Sequence, residues 1–370
     1  MDITCLPEHF REGLRVVERI WNKHATLPIL QNILIKTEDS GLSFQSTNLE
    51  LGAFTIVPAK IKTKGSVAVP AKILSDVSST FANEPIHLYT TKQTLFLYIE
   101  NGALNFKIKH EDGDEFPLLP KINEENQNEI EKSSLLSNLQ SLLPLIAVSE
   151  SRPEISGLFL DFSNGNLTLV ATDTFRLGER KIDINKEQKE GQYIIPLQCA
   201  QEIIRIFSAV QESKINFLLD KNHIEIRAGK TSLVSRLIDG NYPNYKHIIP
   251  QETKTTFVVA REVFLNQVRA ANILTSRLND IHLSFKTEAK TIEIKSEDPN
   301  KGVLETKVET KSAKGESVNA VFNSKYLIDG LEGFKDENIT FYLCGENKPG
   351  MIRPEKEENK QLYLLMPIKL

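Results

Sequence analysis

Apolar and polar positions along the chain follow two rhythms. In LSFQSTN from Leu42, LTLVATD from Leu167 and IEIKSED from Ile292, apolar residues tend to alternate with polar ones and each run ends polar and rich in Ser or Thr. A period of two is that of a half-buried strand. The starts at 42, 167 and 292 are spaced by 125 residues each time. The second rhythm has apolar residues every three or four positions, in PEHFREGLRVVERIW from Pro7, SSLLSNLQSLLPLIA from Ser133 and REVFLNQVRAANIL from Arg261, with offsets of 126 and 128. These predict helices, and AKILSDVSSTF, QCAQEIIRIF and SKYLIDGLEGF predict a second helix in each unit.

Two further landmarks share the spacing. Pro70 in VPAKIL corresponds to Pro196 in IPLQCA, and Phe116-Pro117 corresponds to Tyr242-Pro243, both at an offset of 126. Periodicity on this scale implies three tandem copies of a domain, each α+β with mostly antiparallel sheet. The expected bounds are 1–122, 123–250 and 251–370, because KINEENQNEIE over 121–131 and PQETK over 250–254 are polar connecting segments. A chain of 370 residues also exceeds what one hydrophobic core usually accommodates.

Composition narrows the classes. With 40% hydrophobic and 25% charged residues the chain reads as globular, and no apolar run approaches the roughly 18 residues of a membrane span, so no membrane association is expected. The start MDITCLPEHFREG shows no export signal, which leads to the expectation of a cytoplasmic protein. Cys5, Cys199 and Cys344 are odd in number and far apart, so they read as core or surface thiols, without a disulfide framework or a metal site. A net charge of -4 argues against a uniformly basic coat and leaves room for a local basic surface.

Catalytic signatures are missing. Gly229-Lys230-Thr231 resembles the end of a phosphate-binding loop, but position 224 is Ile224 where glycine would be needed. Its flanks, HIEIRAGKTSLVSRLID, alternate like two strands of a hairpin. There is no HExxH pair, GxSxG elbow or glycine-rich dinucleotide fingerprint. Asp173 beside Arg176 has no base or nucleophile near it in sequence and reads as a salt bridge or turn. The expectation is a non-enzyme with no cofactor and no catalytic or metal-binding residues.

The first helix carries a charge split. Phe10, Leu14, Val17 and Trp21 fall on one side, and Arg11, Arg15, Arg19 and Lys23 recur every fourth residue on the other. Glu8 and Glu12 interrupt the basic stripe only near the N-terminus, where the helix dipole favours acids. On one helix this describes any solvated face. Arg205 and Arg269, standing off the apolar faces of other helices, and Lys72 and Lys325, beginning two more, suggest a shared positive surface. Such a surface without base-reading motifs binds phosphates in a salt-dependent, sequence-independent way. The absence of interleaved aromatics favours duplex DNA over single strands.

HATLPILQN from His24, VPAK from Val69, ATDTFRL from Ala171, IDGNYPNYKHIIP from Ile238 and the terminal LLMPIKL together resemble the bacterial sliding clamps, the beta subunits of the replicative DNA polymerase. The resemblance runs the length of the chain. It implies a DNA-clamp fold of three domains, a homodimer closed head to tail into a ring, sheets outside, and helices lining a hole around duplex DNA. It also implies a pocket for short peptide motifs of the replicative polymerase, the clamp loader and repair proteins. Thr172, Arg176 and Leu177 match the motif after the strand, Pro243 matches the proline of the DGxxPxY segment, and Met366, Pro367, Ile368 and Leu370 match the tail. Arg152, Ile155, His247, Ile248, Asn323 and Tyr326 are further pocket residues on the same resemblance. Phe106 and Ile108, with Ile273 and Leu274, match the dimer joint, and burial in a core is the competing explanation for each.

Departures from the family are informative. Thr174-Phe175 stands where Gly-His is usual, which implies a larger, more apolar rim. His24 and Ala25 replace an arginine that reaches DNA, leaving Lys23 as the substitute, and Pro153 and Glu154 stand where tyrosines approach DNA. A diverged interaction scaffold with weak or no DNA loading is the alternative that these departures keep open. A tail of Leu364, Leu365, Met366, Pro367, Ile368 and Leu370 is too apolar to be left free on any reading, and it is expected to complete a sheet, line a groove, or both.

Overall fold

The computed structural model describes residues 1–21, 27–91, 93–123, 127–149, 151–185, 190–356 and 360–369, so the expectations for Lys23, His24 and Leu370 lie outside the described residues. The helices are α1 (Pro7–Val17), α2 (Ala71–Ser79), α3 (Lys132–Leu142), α4 (Leu197–Phe207), α5 (Arg261–Ile273) and α6 (Ser324–Glu332). The fold is α+β, and the strand pairings described are antiparallel. Among the described residues no helix is long and apolar enough to cross a membrane.

Residues 1–132 with 201–237 form one compact unit, and residues 133–200 with 238–370 another. In the first, a nine-stranded sheet runs in the order 111–112, 66–70, 32–38, 41–47, 51–57, 231–236, 223–228, 214–219, 127–131, and a five-stranded sheet in the order 60–63, 2–5, 86–90, 96–101, 104–109. In the second, a nine-stranded sheet runs 191–196, 157–163, 166–172, 176–183, 361–365, 350–354, 338–343, 255–260, 312–315, and a four-stranded sheet runs 302–309, 291–298, 280–286, 318–323. Each large sheet therefore continues across the boundary between sequence repeats. The joins are equivalent: Gly52 faces Val234 in one, and Leu177 faces Leu364 in the other.

The three alternating runs are strands at Gly41–Thr47, Asn166–Thr172 and Thr291–Asp298. The residues around Gly229 and Lys230 form the hairpin turn between His223–Ala228 and Thr231–Arg236. Gly229 supplies the left-handed backbone there, at φ 54°.

Helix α1 starts with Pro7 in its first turn, where a missing N–H costs nothing, and buries Phe10, Leu14 and Val17. The Phe10 ring meets Phe44 edge-on at 5.1 Å and Phe81 at 5.6 Å. Full burial of such a side chain contributes about 1.5–3 kcal/mol. Gly13 permits the close approach, since a Cβ there would lie 2.5 Å from the Phe44 ring.

The helix is shorter than its sequence pattern. It stops at Val17, so Arg19 and Trp21 lie outside it and Ile20 takes the last fully buried position. The end is held by Arg205, whose guanidinium donates to the carbonyl oxygens of Arg15 and, at 2.7 Å, of Val16, groups that a longer helix would use internally. The basic stripe is thus one of two helical residues plus a turn. Helix α3 is likewise cut at Leu142, and Leu143–Leu145 continues as a 3-10 turn, because Pro144 lacks the N–H that an α-helix requires.

Candidate partner-binding pocket and nucleic-acid face

Thr172, Thr174, Phe175, Arg176, Leu177, Ile248 and Met366 line one cavity together with Pro349 and Leu364. The hairpin tip between strands 166–172 and 176–183 builds its rim. Thr172 Oγ1 donates to the Arg176 carbonyl at 2.7 Å, and Asp173 Oδ1 accepts from the backbone N–H groups of Phe175 and Arg176, each at 3.0 Å. Asp173 is thus both turn and salt bridge, since Arg176 Nε reaches its Oδ2 at 2.8 Å. Thr174 is held at φ 76°, a left-handed conformation that strains a β-branched residue.

Arg176 is 8% exposed and all three guanidinium nitrogens are engaged: Nε with Asp173, Nη1 with Asp329 at 2.5 Å, and Nη2 with the Pro144 carbonyl at 2.7 Å. Burial alone would lower its pKa, but the bond to Asp329, followed by Tyr363 and Asp173, outweighs burial and holds the group above the usual arginine value. Buried and with each of its nitrogens bonded to a neighbour, Arg176 organises the wall of the cavity. Tyr326, in the first turn of α6, lies with its ring under the guanidinium, 4.2 Å from Cζ to the ring centre. Phe175 extends the stack, 6.5 Å from Tyr326, and is 59% exposed. Asn323 caps α6 by accepting from Lys325 N at 3.0 Å and Tyr326 N at 3.2 Å, which fixes where Tyr326 points.

The tail splits into two roles. Leu362 to Leu365 are buried in the strand Gln361–Leu365, which pairs on both sides, whereas Met366 is 40% exposed. Beyond the strand, Met366 N donates to the Phe175 carbonyl at 2.9 Å and Ile368 N to the Val321 carbonyl at 2.7 Å, so the half-buried Pro367 and Ile368 are tied down. Beneath the cavity, Leu177 and Leu364 pack with Phe159, Val170, Tyr245 and Met351.

Other expected pocket residues lie outside the cavity lining. Ile155 is buried at 3% exposure in the turn Pro153–Ile155 and serves as core. Arg152 is exposed and paired with Glu154 at 3.2 Å. Pro243 accepts a hydrogen bond from Tyr245 N at 2.7 Å, and His247 is an exposed residue of the turn Tyr245–Ile248. Asp329 and Pro349 were missed by sequence reasoning, because only the packing of distant segments brings them to the rim, whereas Leu364, expected to complete a sheet or line a groove, does both.

The basic residues divide in the same way. Arg11 spends its guanidinium on the carbonyls of Ser78 at 3.0 Å and Phe81 at 2.6 Å, at the end of α2. Arg205 clasps α1 and pairs with Glu202 at 2.5 Å, and Arg269 pairs with Glu332 at 2.7 Å. Arg15, Arg19 and Lys72 are exposed. Arg15 and Arg19 line a groove with Arg205 between α1 and α4, which Glu8, Glu12 and Glu18 also line.

At the expected joint, Phe106 and Ile108 lie on the strand Leu104–Lys109, a free edge of its sheet. Ile108 is 5% exposed and therefore core, while Leu104 at 36% stands outward. Ile273 is 70% exposed at the end of α5, Leu274 caps that helix, and Val303, on the edge strand Gly302–Glu309, is 52% exposed.

Comparison with known proteins settles the family. Residues 1–120, 129–244 and 246–369 match the N-terminal, central and C-terminal domain models of the DNA polymerase III beta subunit. The chain belongs to the DNA polymerase III beta subunit family. The "Beta sliding clamp" of Bacillus subtilis (strain 168) is 27% identical over 380 residues, covering all of both chains, and that of Halalkalibacterium halodurans is 25% identical with 97% of each covered. Among solved structures, the DNA polymerase sliding clamp from Bacillus subtilis superposes with a TM-score of 0.95 at 26% identity, over 100% of this chain and 99% of that one. The beta subunit from Thermotoga maritima, at 24% identity and a TM-score of 0.90 over 100% and 99%, has the same fold. The chain accordingly has the three-domain clamp fold and the function of a sliding clamp, a non-catalytic processivity factor of DNA polymerase.

Proposed function

We propose that two copies of this chain close a ring around duplex DNA in the cytoplasm and carry partner proteins by short peptides seated on the Phe175 rim. The observation that carries the ring is the equivalence of the two sheet joins within the chain. Strand 302–309 corresponds to 51–57 and 176–183, since Val303 faces Glu297 as Gly52 faces Thr47 and Leu177 faces Thr172. Strand 104–109 corresponds to 231–236 by its two-residue turn. Both are free edges, which a protein must cover or pair. Pairing the edge of one copy with that of the other in the register of the internal joins sets Phe106 opposite Leu304 and Lys107 opposite Val303. Glu305 then lies a diagonal step from Lys107, an attractive cross-strand contact. The two joints of such a dimer are related by two-fold symmetry, and each is heterologous, so the ring closes.

The domain division 1–122, 123–250 and 251–370 follows this reading, and the family-model spans support it. Exposed Arg15, Arg19 and Lys72 supply sequence-independent phosphate contacts. The structural engagement of Arg11, Arg205 and Arg269 favours weaker DNA contact than a count of cations suggests, and it is what speaks for the alternative of a scaffold with little DNA loading.

Oxidation of the double variant Phe106→Cys, Leu304→Cys tests the closure. A covalent dimer is expected, whereas Phe106→Cys with Val303→Cys, whose side chains point to opposite faces, is expected to cross-link poorly. No cross-link in either pair would contradict the joint. For the pocket, removal of Met366 to Leu370 is expected to abolish binding of polymerase and clamp-loader peptides without altering the dimer mass, and unaltered affinity would contradict it.

A further inference from the structure

Three long side chains from two neighbouring strands pin helix α6 to the sheet join. Tyr326, Asp329, Gly330 and Gly333 recur at intervals of three and four, so they share one face of the helix and its last turn. Arg176 meets that face at Tyr326 and Asp329. Tyr363, fully buried in the strand Gln361–Leu365, donates from its hydroxyl to the Tyr326 carbonyl at 2.6 Å. Its ring fills the space beside Gly330, where a Cβ would lie 2.3 Å away. Arg180 takes the other end of the helix. Its Nη2 donates to the Gly333 carbonyl at 3.2 Å, and its Cζ stands 5.0 Å from the ring centre of Phe334. Gly333 has an ordinary helical φ of -69°, so room for the guanidinium, not backbone freedom, calls for glycine: a Cβ there would come within 2.9 Å of Nη2.

Arg180 holds the helix at a cost to stability. It is 1% exposed, and Nη1 donates to two more carbonyls, those of Glu179 at 3.0 Å and Leu362 at 3.1 Å, while the buried Nε finds no partner among the described residues. Burial pulls its pKa below the ordinary arginine value. The negative pole at the carbonyl end of α6 offsets part of that cost. An apolar residue of similar volume is often as stable or more so in such a place. The arginine is therefore better explained by position than by stability, because directional bonds fix the rotation and register of a helix where apolar contacts let it roll.

Register matters here because of what α6 carries. It presents Tyr326 to the Arg176 guanidinium and, at 6.5 Å between ring centres, to the exposed Phe175. The cavity beside Phe175 is lined by neither Arg180 nor Tyr363.

We propose that Arg180 and Tyr363 are positioning residues of the partner pocket: acting through α6, they hold Tyr326 against Arg176 and Phe175, and so set the affinity for a bound peptide that neither of them touches. The proposal rests on reading the cavity beside Phe175 as the peptide site.

The test is the affinity of the full-length protein for its cognate replicative polymerase, by surface plasmon resonance, in Gly333→Ala, which crowds Arg180, and Tyr363→Phe, which removes only the bond to Tyr326. Both keep the buried cation and the ring, so both are expected to fold. Fluorine NMR of 3-fluorotyrosine-labelled protein is recorded beside it, with the Tyr326 signal among the eight tyrosines assigned by its loss in Tyr326→Phe. Each variant is expected to bind about two- to tenfold more weakly, the range spanned by one hydrogen bond, and to shift the Tyr326 signal. Phe285→Leu, a core change in the four-stranded sheet of the same unit, is expected to alter neither. Unchanged affinity in either variant overturns the role of its residue. Weakened binding with an unmoved Tyr326 signal, or an equal loss in Phe285→Leu, overturns the proposal as a whole. Removal of Met366 to Leu370 separates the two readings: unaltered affinity there sinks the pocket itself, whereas affinity lost there and kept in Gly333→Ala and Tyr363→Phe sinks only the positioning.

Discussion

Arg176 lies with its guanidinium 4.2 Å from the ring centre of Tyr326, a contact between a strand of the sequence's second repeat and a helix of its third. The same guanidinium bonds Asp329 on that helix. The pocket wall is therefore a product of the sheet join at Leu177 and Leu364, which brings the 176–183 and 361–365 strands together. Replacing Arg176 by Met would leave the part-buried Asp173 and Asp329 without their cation. Loss of one partner of a buried pair costs about 3–5 kcal/mol, lowered here toward 3 by the one-third exposure of Asp329. Urea unfolding should show that loss in Arg176→Met, with a smaller one in Asp329→Asn.

Thr174 pays a backbone cost at φ 76° that glycine would avoid. Glycine also gains entropy in the unfolded chain, which returns part of the advantage, so Thr174→Gly should stabilise by about 0.5–1 kcal/mol. A melting temperature raised by a few degrees checks this, and Thr174→Ala, which keeps the Cβ, should show no gain.

The cations should separate into two classes. Arg205→Ala frees the end of α1 and leaves Glu202 unpaired, and Arg11→Ala frees the carbonyls at the end of α2, so each should lower stability by about 1–3 kcal/mol. Arg15→Ala and Arg19→Ala should leave the melting temperature unchanged and weaken DNA binding equally for all sequences. The salt dependence of binding should lose about one unit of slope per contact removed. Filter binding at several salt concentrations, beside calorimetry, distinguishes the classes.

His87 lies between Asp2, 2.9 Å from Nε2, and Glu100, 3.4 Å from Nδ1. The bond to Asp2 and the nearby Glu100 raise its pKa above the ordinary histidine value against the effect of burial. A raised histidine stabilises the fold fully below its unfolded pKa of about 6.5 and ceases to do so as pH rises through the folded value. Asp2, lowered mainly by its hydrogen bond to His87 and then Lys62, has the opposite profile and loses its contribution in acid. The gap in melting temperature between wild type and His87→Gln should thus be widest below the unfolded histidine pKa of about 6.5 and shrink as pH rises above it. A gap independent of pH would contradict the pairing.

The periodic patterns made the helices and the triple repeat legible before any contact was known, and the alternation around Gly229 marked its hairpin correctly. These are local signals. The joins at Gly52–Val234 and Leu177–Leu364 link strands far apart in sequence, and no window of residues contains them. That is why Asp329 and Pro349 were invisible as pocket residues and Ile155 could not be recognised as core. Arg11 and Arg205 illustrate the converse limit. Their spacing on a helix face is real, but whether a guanidinium faces solvent or seals a helix end depends on where another helix stops.

Encirclement is the central claim, and retention on circular DNA tests it most directly. The purified protein, with a clamp loader and ATP, is loaded onto nicked circular DNA and followed before and after the circle is linearised. Retention on the circle and loss from the ends after cutting is the predicted result, because a closed ring is held by topology and slides freely. Equal retention on both forms would contradict it and leave ordinary electrostatic binding by residues such as Arg15 and Arg19 as the explanation.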